Sequence, residues 1–163
     1  MVDYDLKIPD IMIVRVPTFR AVTSGSVPWE VAFGAFSQWV DEHRHFLAEV
    51  VFGSADFLTG DAEKVEWVWR IRDEIQEADV APYQVTEFQG GLYAVAVSID
   101  GDGESHDKVW AKVNDWVATT NFIEDQSRFP VAHMIYVDEE IMTGLGYNQM
   151  NLYLPVKVND ADK

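Results

Sequence analysis

Residues 85–103, VTEFQGGLYAVAVSIDGDG, followed by residues 105–122, SHDKVWAKVNDWVATTNF, decide how the rest of this chain is read. The first piece predicts a strand entered through Gly90-Gly91. Leu92 to Ile99 is uncharged, rich in β-branched residues, and runs into the turn residues Asp100-Gly101-Asp102-Gly103. The second piece predicts a helix, with Ser105 as N-cap and Asp107 in the first turn, where the helix dipole favours an anion. Val109, Val113, Trp116 and Val117 fall on one helical face, with Trp110 at its border. Strand, Gly/Asp turn and Trp-bearing helix make one unit, and the remaining chain supplies its counterpart.

At 163 residues the chain suits a single domain, with halves at about 8–80 and 83–158 sharing one core. Hydrophobic residues make up 48% and six residues are Trp, enough for a packed interior, which excludes a disordered chain. No apolar run approaches the ~20 residues of a membrane-spanning helix. The opening MVDYDLKIPD has neither the basic nor the apolar region of a signal peptide. With no Cys, disulfides, thiolate metal sites and Cys nucleophiles are excluded, a usage compatible with the cytoplasm. The formal net charge of −16 argues against direct nucleic-acid or membrane binding, because the 12 Lys and Arg are scattered. The acidity serves solubility first, with weak attraction of cationic ligands as its functional consequence.

Ile11 to Val16 and Phe19 to Gly25 read as extended segments, broken at Pro17, which cannot donate to a ladder. Ser26-Val27-Pro28 opens a helix, and Trp29, Ala32, Phe33, Phe36 and Val40 line one of its faces, flanked by Trp39. Ala55 to Thr59 predicts a short strand closed by Gly60-Asp61. In Lys64 to Arg72, Val65, Trp67, Trp69 and Ile71 alternate with Glu66, Val68, Arg70 and Arg72, the period of a strand. Acidic Asp73 to Ala81 reads as a connector. Later come a strand at Val131 to Val137, a loop or hairpin connection at Asp138 to Gly146, and a strand at Asn148 to Val158, where Met150, Leu152, Leu154 and Val156 alternate with Asn151, Tyr153, Pro155 and Lys157. The polar tail from Asn159 frays.

Each half therefore reads strand, helix, strand, strand. The fold class expected is α+β: duplicated β-α-β-β modules with pseudo-two-fold symmetry, a curved antiparallel sheet, two main helices on one face, and a central cleft. Clefts at such junctions are where ligands usually bind.

These elements carry Ile13 to Val22 (I-x-x-x-P-x-x-x-A-V), Gly91-Leu92-Tyr93-Ala94-Val95, the turn at Gly101, Trp110 to Val117, Thr120-Asn121-Phe122, and the closing Leu152 to Val156. In that order they resemble the GyrI-like effector-binding domain family, the gyrase-inhibitor-like module also found as the drug-sensing half of some AraC-type and MerR-type regulators. The resemblance covers almost the whole chain. It implies the two-module fold and a central cleft for hydrophobic, often cationic or aromatic molecules. Family members often carry Glu-x-Tyr in the strand after the second helix, the Glu facing the cleft. Here Tyr136 matches the Tyr, but Met134 stands at the Glu position, so the buried counter-ion is missing there. That departure bears on cation specificity and on the hydrolysis of cyclopropane-bearing natural products seen in some relatives.

Trp67 and Trp69 share a strand face and read either as core or as an aromatic wall for a flat ligand, where each contact adds roughly 0.5–2 kcal/mol. Trp110, Met134 and Tyr136 would face the same cleft from the other half, with Trp39 as a further candidate. Trp29, Phe33 and Phe36 read as helix-to-sheet core. His133 points away from Met134 in a regular strand. His43 and His45 lie about 200° apart on a helix and read as surface residues, not a metal pair. His106 and His133 have no sequence partner, so no metal or other cofactor is expected. Glu66, Glu87 and Glu124 are the acids singled out as general acid or base candidates. No G-x-S-x-G, P-loop or G-x-G-x-x-G occurs, and no catalytic residue is assigned. The expectation is a stand-alone binder that senses or sequesters a small hydrophobic or aromatic ligand. The alternatives are a protein-binding inhibitor module and a hydrolase on the same cleft.

Overall fold

The computed structural model describes residues 10–49, 56–134 and 139–162. Its elements run β1 (Met12–Val16), β2 (Phe19–Thr23), β3 (Val27–Pro28), α1 (residues 29–42), β4 (Asp56–Gly60), β5 (Lys64–Arg70), β6 (Gln84–Phe88), β7 (Gly91–Ile99), α2 (Gly103–Val117), β8 (Phe122–Glu124), β9 (Val131–Met134), α3 (Glu139–Leu145) and β10 (Gln149–Val158). Helix α1 opens at Trp29–Val31, widens into a π turn at Ala32–Phe36, and ends as Ser37–Glu42.

Eight strands form one antiparallel path in the order β1-β7-β10-β9-β4-β5-β2-β6, curved into a half-barrel, with β3 beside β5 and β8 beside β10. The order is symmetric about its centre when β2, β4 and β5 are matched with β7, β9 and β10, and β6 with β1. The expected modules β2-α1-β4-β5 and β7-α2-β9-β10 meet at the pseudo-two-fold centre, where Leu58 pairs with Ala132. The two opening strands, β1 and β6, are exchanged: β1 pairs with β7 and β6 with β2. The two strand connections consequently pass against each other at Gly90. A Cβ there would overlap the Val16 carbonyl and the Thr18 amide, so only glycine fits, and its N–H donates to Thr18 Oγ1 at 3.0 Å.

Register fixes which face each side chain uses, because opposed residues of an antiparallel pair point the same way. Leu154–Ala94, Leu152–Ala132, Leu58–Trp67 and Trp69–Val22 share one face. α1 buries Ala32, Phe36 and Val40 on it in the first half, and α2 buries Val113 and Val117 on it in the second. The opposite face carries Phe19, Phe57, Tyr93, Val95 and Val131. Both main helices therefore lie on one face. Each fully buried Val, Leu or Phe among them contributes on the order of 1.5–3 kcal/mol.

Several local expectations change. Val27–Pro28 forms a two-residue strand on β5, and the helix starts one residue later. Asp102, not Ser105, caps α2: its carboxylate accepts the Ser105 N–H at 3.0 Å, while Ser105 Oγ accepts the Ile99 N–H at 3.0 Å. The acidic connector contains a 3-10 turn, Glu77–Val80, held by a reciprocal cap between Gln76 and Asp79 that seats the fully buried Val80. The stretch that reads as a loop contains α3, closed by Gly146 at φ +82. Tail residues Asp160–Asp162 form a 3-10 turn.

Candidate functional site

Helices α1 and α2 cover separate core clusters on the two sides of the sheet centre. Between them lies a cavity of about 790 Å³, within the range of small-molecule pockets. Its floor is Leu58, Ala132 and Leu152, so it sits on the pseudo-two-fold centre.

One wall is aromatic and comes from the start of α1. Trp29 and Phe33 stack with ring centroids 5.6 Å apart and planes within 3°. The Trp29 Nε1–H donates to the Asp61 carbonyl at 2.8 Å, which pins the indole to the β4–β5 turn. That turn is itself organised by the Asp61 carboxylate, which accepts the Lys64 and Glu63 amides; these bonds lower its pKa below the ordinary carboxylate value. The facing wall is Trp110 of α2, with Leu154 below it. Phe129 and Pro130 form a lip, and Phe129 is 77% exposed.

The polar edge belongs to the second half: Asp100, His106, Asn114 and Glu124. Glu124 is opposite Val156, whose side chain lies under α2, so register turns the carboxylate to the helix face. His106 Nε2 lies 2.8 Å from the Ile99 carbonyl, an acceptor only, so Nε2 carries the proton and donates. Asn114 Nδ2 donates to the Trp110 carbonyl at 2.9 Å, and Thr59 Oγ1 to the Pro130 carbonyl at 3.1 Å. Among the described residues, no Lys or Arg lines the cavity.

Of the residues that the sequence singles out, Trp110 lines the cavity. Trp67 and Trp69 are 4% and 2% exposed and lie in the core beneath α1, 5.4 Å apart, with the Trp67 Nε1–H donating to Asp56 Oδ2 at 2.8 Å. Trp67 packs behind Phe33 at 4.8 Å, one layer from the cavity. Trp39 is buried against Tyr83 at 5.4 Å and does not reach the lining. Of the three residues expected as helix-to-sheet core, Phe36 is buried, whereas Trp29 and Phe33 are 37% and 41% exposed and form the wall. The Met134 backbone pairs with Met150, a lining residue, and Tyr136 lies outside the described residues. His133 turns to the opposite face, as strand alternation predicts, against Phe57 at 5.7 Å. Its burial lowers the imidazole pKa below the ordinary value.

Of the three acids, Glu124 lines the cavity; Glu66 and Glu87 do not. His43 and His45 sit at the end of α1 with ring centroids 6.1 Å apart, His43 Nδ1 being held 2.7 Å from the Trp39 carbonyl. Among the described residues, no three His, Asp or Glu side chains gather as a metal site would require, and no helix is long and apolar enough to cross a membrane. Asp100, His106, Asn114 and Phe129 are lining residues that sequence reasoning misses. The one signal for them is an aromatic-proline pair, Phe129-Pro130, ending a polar run.

No protein-family model matches the sequence, and no curated protein matches it. Solved structures do share its fold. SAV2435, solved bound to tetraphenylphosphonium, is similar over 91% of this chain and 94% of its own, at 12% identity and a TM-score of 0.56. A hydrolase from Listeria innocua aligns over 94% and 95%, at 12% identity and a TM-score of 0.64. The C-terminal domain of EcmrR aligns over 91% and 97%, at 11% identity and a TM-score of 0.60. The chain has the fold expected of a GyrI-like effector-binding domain.

Proposed function

We propose that the chain is a small-molecule binding protein that takes a flat aromatic cation into the cavity between α1 and α2, and so senses or sequesters it. One observation carries this reading. A single cavity joins the Trp29–Phe33 stack and Trp110 to the carboxylate residues Asp100 and Glu124, with no Lys or Arg among the described residues of its lining. Aromatic contacts would each contribute roughly 0.5–2 kcal/mol, and the acids select the sign of charge. The fold shared with SAV2435 and the sequence resemblance to GyrI-like domains support the same reading. Trp110 belongs to the proposed site, while Trp39, Trp67 and Trp69 back it from the core. An open cavity favours a small molecule over a protein partner, which calls for a filled cleft.

Thermal denaturation with 9-aminoacridine, cationic at neutral pH, and with neutral acridone tests this. At 100-fold above the dissociation constant a ligand stabilises by about 2.7 kcal/mol. That corresponds to a Tm rise of several degrees for a chain of this size. The expected result is a rise with 9-aminoacridine that shrinks in Trp110→Ala. A rise with acridone alone overturns the charge preference, and no rise with either overturns the site.

A second reading, hydrolysis in the same cavity, is favoured by the carboxylates of Asp100 and Glu124 on its lining, since a general acid or base must reach the bound ligand. Turnover of a cyclopropane-bearing aromatic, abolished in Glu124→Gln, would establish it.

A further inference from the structure

The side-chain polar groups of the cavity are mostly hydrogen-bond acceptors, because four of their donors are already committed to backbone carbonyls. Trp29 Nε1 is engaged by Asp61, His106 Nε2 by Ile99, Thr59 Oγ1 by Pro130, and one Asn114 N–H by Trp110. The bond to Ile99 requires the proton on Nε2, so neutral His106 keeps its Nδ1 lone pair as an acceptor. Asn114 retains its Oδ1, Thr59 its hydroxyl lone pairs, and Asp100 and Glu124, when ionised, only accept. Among the described lining residues, the remaining side-chain donors are the Trp110 indole and the second Asn114 N–H.

We infer that the ligand of this cavity is a protic cation, a primary or secondary ammonium or an amidinium joined to an aromatic group, held by hydrogen bonds that it donates to this acceptor edge. The inference rests on the cavity being the ligand site and specifies which cations it prefers. A quaternary cation supplies charge and apolar surface but no N–H. Its binding would strip water from the acceptors and return nothing, and an unmatched buried polar group is costly. A carboxylate or other anionic ligand would meet acceptors of its own sign. The aromatic wall at Trp29 and Phe33 takes the flat portion of the ligand, while the amine faces Glu124 and Asp100 on the other half.

The test compares one aromatic scaffold with two head groups. Calorimetric titration would use 4-phenylbenzylamine, an ammonium at neutral pH, and its trimethylammonium counterpart. Charge-assisted hydrogen bonds predict that the amine binds about tenfold or more tightly. That ratio is expected to collapse toward one in Glu124→Gln and Asp100→Asn, substitutions at an exposed and a half-buried position outside the core. Equal binding of the two head groups, or tighter binding of the quaternary one, overturns the inference and leaves the cavity reading standing. Binding of neither overturns both. A preference for the amine that survives both substitutions also overturns the assignment of the acceptors.

Discussion

Trp29 and Phe33 lie four residues apart, with ring planes parallel to within 3°, and the face they form opens into the cavity. Trp29 stands in the opening turn of α1 and Phe33 in the π segment that begins at Ala32. Such a widening adds a residue to one turn and rotates the later residues around the helix axis. Phe36 and Val40 thereby stay on the sheet while Phe33 leaves it. Removing one ring, in Phe33→Ala, is expected to weaken binding of an aromatic cation about two- to tenfold, the value of one aromatic contact. The fold should change little, because Phe33 is already 41% exposed. Calorimetry and denaturant unfolding of the same variant separate the two effects.

Arg128 is a near-buried cation of the second half. Its side chain is 10% exposed, its Nε donates to Asp125 at 3.0 Å, Nη2 donates to the Leu92 and Val156 carbonyls, and the guanidinium sits 4.6 Å from the Tyr93 ring. Hydrogen bonds from Ser127 and then from Arg128 hold Asp125 at a pKa of about 2, against an ordinary value of 3.8. The folded value lies below the unfolded one, so this contribution is complete above about pH 4 and is lost as the pH falls toward 2. Asp125→Asn should flatten the acid limb of the stability curve in that window, read by urea unfolding between pH 5 and 2. Arg128→Ala is expected to cost about 3 kcal/mol or more, since it strips a near-buried charge from its partners.

His133 supplies a second pH dependence at higher pH. It is buried against Phe57 and Tyr153, and burial holds its pKa below the ordinary 6.5. Being neutral in the fold, it contributes full stability above the unfolded value, and stability falls as the pH drops below it. In His133→Phe that decline should disappear; the same unfolding series, run from pH 8 to 5, is the check. A decline of unchanged size in the variant would assign the effect to another group.

Gly90 and Gly34 predict effects of opposite sign for the same substitution. A Cβ at Gly90 meets the backbone of the crossing connection, whereas at Gly34, inside α1, it meets nothing within 4 Å. Gly90→Ala should destabilise by about 3 kcal/mol or more, as backbone must move. Gly34→Ala should stabilise by roughly 0.5–1 kcal/mol through helix propensity. Paired thermal melts decide both.

The sheet and α2 are legible in the sequence because their periods are clean. Val65, Trp67 and Trp69 alternate, as do Met150, Leu152 and Leu154, and all point to the buried helix face. The site is less legible. Alternation says that Trp67 and Trp69 share a face, but not that α1 covers that face completely. A regular 3.6-residue period puts Trp29 and Phe33 in the core, and the π turn in α1 breaks that period. α3 is hidden by Gly144 and Gly146, of which the second ends the helix and the first lies inside it. The exchange of β1 and β6 is a long-range pairing, and no local pattern carries it. Even so, Gly90, a turn glycine by its local sequence, marks the place where the exchanged connections cross.

The ¹⁵N–¹H spectrum of the six Trp indoles, followed during titration with 4-phenylbenzylamine, locates the ligand on the protein. Trp29 and Trp110 line the cavity, whereas Trp39, Trp67 and Trp69 are buried away from it. Binding in the cavity between α1 and α2 predicts saturable shifts of the Trp29 and Trp110 indole signals, with those of Trp39 and Trp69 nearly still. Shifts confined to Trp39, Trp67 and Trp69, with Trp29 and Trp110 unmoved, would contradict it and return the ligand to the wall that strand alternation alone suggests.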